Sequence, residues 1–94
     1  MPRTRYIRPG FFENEELAEQ SHQTRLFFIG LWTLADREGY VEYRPKRLKR
    51  NIFPYENCDI DGMVVELVAI DKLEVVEIEG TKLLKVSKWH EHQN

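Results

Sequence analysis

Leu73-Glu74-Val75-Val76-Glu77-Ile78-Glu79-Gly80-Thr81-Lys82-Leu83-Leu84-Lys85-Val86 reads as two strands about a tight turn. Valine, isoleucine and leucine are interspersed there with charged residues on both sides of Glu79-Gly80. A two-residue loop at Glu79-Gly80 sets Ile78 opposite Thr81. Counting back, Val76 meets Leu83, Val75 meets Leu84 and Leu73 meets Val86. The same register brings Glu77 opposite Lys82 and Glu74 opposite Lys85, two opposite-charge pairs that arise without adjustment. Glu-Gly is a weaker turn signal than Asn-Gly, so a three-residue loop is the alternative. The strands are expected over 73–78 and 81–89.

The segments before the hairpin carry helical patterns. Residues 59–70 form a helix with Asp59 as N-cap, Cys58 and Met63 spaced as a hydrophobic staple, and Ile60, Met63, Val64, Leu67 and Ile70 facing a core. Pro45 suits the first position of a helix over 45–51, and Pro54 ends it. Residues 40–43 alternate as a short strand. The main helix is expected over 23–37, after Ser21 as N-cap. Phe27, Leu31 and Leu34 make one stripe on it and Phe28, Trp32 and Ala35 a second, while Leu26 and Ile29 widen the apolar arc. Gly30 costs about 1 kcal/mol against alanine in a helix interior, which points to another backbone approaching closely there. Gly39 is placed as the C-terminal stop. A short helix from Asn14 is anchored by Phe11, Phe12 and Leu17. Pro2 and Pro9-Gly10 keep residues 1–10 extended as a basic arm.

The order is therefore helix, helix, strand, helix, helix, hairpin. Such an order predicts an α+β winged helix-turn-helix with an extra short N-terminal helix, a single domain over 11–94. No internal repeat, low-complexity segment or Pro/Gly/Ser-rich linker divides it.

Composition fits that reading. Of 94 residues, 41% are hydrophobic and 32% charged, ordinary for a globular domain. No apolar run approaches the roughly 18 residues a membrane span needs, and no apolar stretch follows the basic start as in a secretory signal. Cys58, the only cysteine, has no internal partner, which fits the reducing cytoplasm. The net charge is -2, but it is segregated. Arg3, Arg5 and Arg8 lie in residues 1–12 with no acid, and Arg44, Lys46, Arg47, Lys49 and Arg50 lie in 44–50 with none. Residues 51–80 carry eight acids against Lys72 alone. A basic stripe can thus coexist with an acidic flank.

The run Arg25-Leu26-Phe27-Phe28-Ile29-Gly30-Leu31-Trp32-Thr33-Leu34-Ala35-Asp36-Arg37-Glu38-Gly39 continues into Arg44-Pro45-Lys46-Arg47-Leu48-Lys49 and Ile52-Phe53-Pro54-Tyr55. It resembles the amino-terminal winged-helix domain of phage and prophage replisome-organiser proteins, replication initiation proteins related in architecture to DnaD and DnaT. The ending Trp89-His90-Glu91-His92-Gln93 looks like the close of that domain. The resemblance implies DNA replication as the setting, self-association, and a further region that recruits a helicase or its loader. That last activity does not carry over to these residues.

In a helix-turn-helix protein the second helix enters the major groove. Here residues 59–70 would present Asp59, Asp61, Gly62, Val65 and Glu66, with no Arg, Lys, Asn or Gln to read bases. The better candidate is the preceding helix, where Arg44, Lys46, Arg47, Lys49 and Arg50 would contact phosphates of duplex or single-stranded DNA with little sequence preference. Arg3, Arg5 and Arg8 would act as a mobile arm and Lys88 would add charge from the wing, whereas Lys82 and Lys85 are discounted for their acidic neighbours. Tyr40, Tyr43 and Tyr55 could stack on bases, although packing of the strand and turn is favoured for them. The alternative function is protein docking or homodimerisation without DNA, through Phe28, Trp32 and Val65. Against it, Phe11, Phe12 and the first helix could cover Phe28 and Trp32.

An enzyme is not expected. No glycine-rich phosphate loop, nucleophile motif or paired carboxylates stand out, and Ser21-His22 and Cys58 lie in separate elements. His90 and His92 would share a strand face, with Cys58 a distant third ligand, but structural zinc sites show two close ligand pairs. Neither a metal nor another cofactor is expected.

Overall fold

The structure is a computed structural model and describes residues 2–93. Among the described residues it contains six helices and one three-stranded antiparallel sheet, an α+β architecture. Two four-residue turns of helix, α1 (Gly10–Glu13) and α2 (Glu15–Ala18), precede the main helix α3 (His22–Leu34). Strand β1 (Tyr40–Glu42), helices α4 (Pro45–Ile52) and α5 (Ile60–Ala69), strands β2 (Leu73–Ile78) and β3 (Thr81–Val86), and a final turn α6 (Trp89–His92) follow. None of the helices is long and apolar enough to cross a membrane.

Helix starts obey local rules. The side chains of Asn14, Ser21 and Asp59 accept hydrogen bonds from the backbone amides of Leu17, Thr24 and Gly62, at 2.9, 3.0 and 3.0 Å. Each satisfies an amide that the first helical turn would leave orphaned. Pro45 opens α4 at the position where its missing amide costs nothing.

Helix ends depart from expectation. Helix α3 stops at Leu34, three residues before the expected end, because Asp36 folds its carboxylate back to accept from the amides of Glu38 and Tyr40. That local turn competes with a further helical turn. Gly39, at φ +90, therefore lies in the turn after the helix rather than ending it. The first helical region is broken at Asn14, which is extended (ψ 118) and serves at once as the end of α1 and the cap of α2.

The hairpin follows the register read from the sequence at all six pairs, from Ile78 opposite Thr81 to Leu73 opposite Val86. Its loop is two residues long, with Glu79 at φ 51 and Gly80 at φ 80, the all-positive turn whose twist matches the strands. Strand β1 pairs with β3, setting the order β1-β3-β2. The last strand ends at Val86, not at 89. Lys88 adopts the left-handed conformation (φ 53) and turns the chain into α6.

The core joins all layers: Phe27, Phe28, Leu31, Leu67, Leu84 and Val86 are fully buried, with Trp32, Leu48 and Phe53 almost so. Phe28 and Trp32, expected as surplus surface, lie beneath Phe11 (ring centroids 6.4 and 5.8 Å) and the imidazole of His92 (6.0 and 5.0 Å). They are 0% and 1% exposed, so they form no interface. Phe12, expected as an anchor, is 67% exposed. A Cβ on Gly30 would meet the Ile52 side chain at 2.8 Å, so the close neighbour there is a side chain of α4 and not a backbone.

Residues 2–8 carry no helix or strand, and the chain enters α1 at Gly10, but the segment is no free arm. The amide of Arg3 donates to the Thr33 carbonyl at 2.8 Å. The guanidinium of Arg5 donates to the carbonyls of Trp32 and Ala35 at 3.0 and 2.8 Å and lies over the Trp89 ring. A cation is well placed there, because the last carbonyls of a helix lack intrahelical partners and carry partial negative charge. Gln93, buried at 6% exposure, accepts from the Tyr6 amide and donates to the Tyr6 carbonyl, clasping the chain's two ends together.

Candidate nucleic-acid interface

Helix α4 owes its asymmetry to Leu48 and Ile52, four residues apart on its core-facing side. Leu48 is buried, and Lys46 and Arg50, two residues to either side, face away from it at 100° per residue. Lys46, Arg47 and Arg50 are exposed, and no acid lies within the helix. The other two cations of the stretch are engaged. Arg44 pairs with Glu42 at 3.0 Å, and Lys49 donates to the Phe53 carbonyl at 3.3 Å, capping the helix end. Among the described residues, the run of five expected contacts thus reduces to three cations on one face with no hydrogen bond or ion pair.

The remaining expected contacts do not gather there. Arg5 is spent on carbonyls of α3. Arg8 donates to the His92 carbonyl at 3.3 Å, at the α6 end of the molecule. Lys88 lines a hollow with Glu16, Asp71 and Glu91, where acids offset its charge. The start of the arm does approach α4: Pro2 and Arg47 share a hollow with Asn51, and the exposed Arg3 lies beside β1. Lys85 donates to the Glu38 carbonyl at 3.3 Å and lies over the Tyr40 ring, so its engagement is not with Glu74 opposite.

Helix α5 presents a different surface. Asp59, Asp61 and Glu66 are exposed, and Val65 is 67% exposed among them. Thr24 donates to Glu66 at 2.8 Å, tying this acid to α3. The Tyr43 hydroxyl donates to Asp61; partial burial, together with that carboxylate, raises the phenol's pKa well above its ordinary value. Tyr40 and Tyr43 are thus occupied in packing, whereas Tyr55 is 97% exposed.

His90 and His92 lie on a helical turn, where residues two apart face different ways. His90 lies 3.3 Å from Glu38 and His92 packs on Phe28 and Trp32. Among the described residues no group of three or more His, Cys, Asp and Glu side chains could hold a metal ion.

Between α3, α4 and the N-terminal segment runs an apolar groove of about 350 Å³. Leu26, Ile29, Gly30 and Thr33 line it from α3 at the i, i+3, i+4, i+7 spacing of a single helix face. Asn51 and Ile52 contribute from α4 and Ile7 from the segment that Arg5 holds down. Leu26 and Ile7 are each 50% exposed. The apolar excess of the main helix is therefore real, but it lies on Leu26 and Ile29 rather than on Phe28 and Trp32. The 3.6-residue period reveals every face of a helix without saying which one α1 and α6 will cover.

Comparison with protein-family models, curated proteins and solved structures finds no match for this chain.

Proposed function

We propose that this chain is a winged-helix module, akin to the amino-terminal domain of phage replisome organisers, that binds DNA through phosphate contacts from α4. The carrying observation is that Lys46, Arg47 and Arg50 are exposed on one helix face, without a partner among the described residues and with no acid in that helix. Element order and the strand order β1-β3-β2 support the winged-helix reading, with α4 and α5 as the helix pair and β2-β3 as the wing. The sequence run through Leu26 and Tyr55 supports the setting in replication of phage or prophage DNA. An acidic α5 argues against base readout by the second helix, since carboxylates there would face phosphates. Contacts are then mainly to the backbone, with little sequence preference.

Charge reversal tests the surface. Lys46→Glu with Arg47→Glu removes two phosphate contacts, which lowers affinity roughly fiftyfold at about 0.1 M salt if each contact contributes a counterion-release slope of about 0.9. Fluorescence anisotropy with labelled DNA reads the loss; undiminished affinity would place the site elsewhere. A second reading, homodimerisation or docking to another replication protein, is favoured by the exposed Val65 and Val68 on α5. Under it the double variant keeps its self-association in sedimentation and the wild type shows no useful DNA affinity.

A further inference from the structure

The groove beside α4 is not needed for phosphate contacts, and its chemistry is distinct from theirs. Its walls are mainly aliphatic, from Ile7, Leu26, Ile29 and Ile52, with Trp32 and the engaged Arg5 also lining it, and no carboxylate does. Two neutral polar side chains stand among them. Thr33 donates to the Gly30 carbonyl, leaving its oxygen lone pairs to accept, and no hydrogen bond among the described residues holds the exposed Asn51 amide. Asn51 also lines the adjoining hollow that contains Arg47. An aliphatic slot, an uncommitted amide and a guanidinium thus follow one another across α4. From the base-facing wall to Arg47 that sequence matches a nucleotide: flat apolar face, polar edge, anionic phosphate.

We infer that the groove receives an unstacked nucleobase from a single DNA strand whose phosphates lie on Lys46, Arg47 and Arg50. This rests on the α4 reading above and adds to it a preference for single strands. Charge complementarity selects the occupant: past Asn51 the adjoining hollow holds Arg47, its one acid Glu42 is paired with Arg44 at 3.0 Å, and a groove that leads onto the basic face of α4 suits a polyanion that also carries apolar faces. A base in a duplex is stacked on both faces and unavailable, whereas aliphatic and aromatic walls hold bases taken out of the stack. The volume, about 350 Å³, falls at the low end of small-ligand sites. Gly30 keeps the floor open for Ile52 to close against α3, since its absent side chain leaves the space that Ile52 occupies.

The test compares strands of equal charge. A labelled oligothymidine and an abasic strand of the same length, carrying the same phosphates, are titrated by fluorescence anisotropy beside a duplex. Oligothymidine is expected to bind about tenfold tighter than the abasic strand, within the range of one stacked base. Replacing two half-exposed groove residues, Leu26→Ser with Ile7→Ser, is expected to bring oligothymidine down to the abasic affinity, with circular dichroism checking the fold. Equal binding of the two strands by the wild type overturns the inference while leaving the α4 reading intact. An undiminished preference in the double variant also overturns it. Absence of binding by both strands and by the duplex at low salt overturns the α4 reading and this one together.

Discussion

Gly39 and Gly80 both hold positive φ, at +90 and +80, yet their neighbours differ. Nothing lies within 4 Å of a Cβ built on Gly80, while a Cβ on Gly39 would sit 2.7 Å from Trp89 Cγ. Gly80→Ala therefore costs only the backbone strain, about 1 kcal/mol. Gly39→Ala adds a clash with a buried indole, for about 2–4 kcal/mol in all. Urea unfolding of the two variants ranks them, and equal costs would contradict the packing of Trp89 against the turn. The aromatic residues give a second ranking. Phe28→Ala is expected to cost about 3–5 kcal/mol and Phe12→Ala about 0.5 kcal/mol or less, since one is fully buried and the other 67% exposed. The sequence reading makes Phe12 an anchor and Phe28 surplus surface, the reverse of their burial. The distinction depends on which side of α1 meets α3, a tertiary fact that no local pattern holds.

At the scale of elements, what was legible had a local cause. The three N-caps, the proline start of α4 and the hairpin register each follow from residues within a few positions or from one turn. The misread boundaries all have partners distant in sequence or a competing local bond: Asp36 cutting α3 short, and Lys88 turning the chain so that α6 can lay His92 on Trp32. The docking of α6 carries a pH consequence. Burial, with Lys72 nearby, lowers the His92 imidazole below its ordinary value of 6.5, outweighing the opposing pull of Glu91 and the Ser87 backbone. The folded chain then prefers the neutral ring. This contribution is fully present above about pH 6.5 and is lost as pH falls through the lower folded value. Thermal melts between neutral pH and about pH 5 should show wild type losing more stability than His92→Gln. Parallel losses in the two proteins would contradict the account of α6.

Over the whole molecule, the radius of gyration of 12.4 Å matches a single compact unit of this length, about 12–13 Å. Its small net charge of -2 hides a separation: exposed cations on α4, exposed acids on α5 and β2. The basic runs were legible as runs, but their meaning was not. Arg5 and Lys49 read as free cations and are instead caps on helix ends, and Arg44 is paired. The apolar groove was foreshadowed by Leu26 and Ile29 widening the arc of α3, although its second wall, Ile7, comes from a segment that reads as a loose arm. The most direct test of the central claim, that α4 binds DNA phosphates, is fluorescence anisotropy titrated across salt concentrations. Three uncommitted cations predict a log–log slope of about -3, and Lys46→Glu with Arg47→Glu should bring it to about -1. Affinity independent of salt, or a slope that the double variant leaves unchanged, would contradict it.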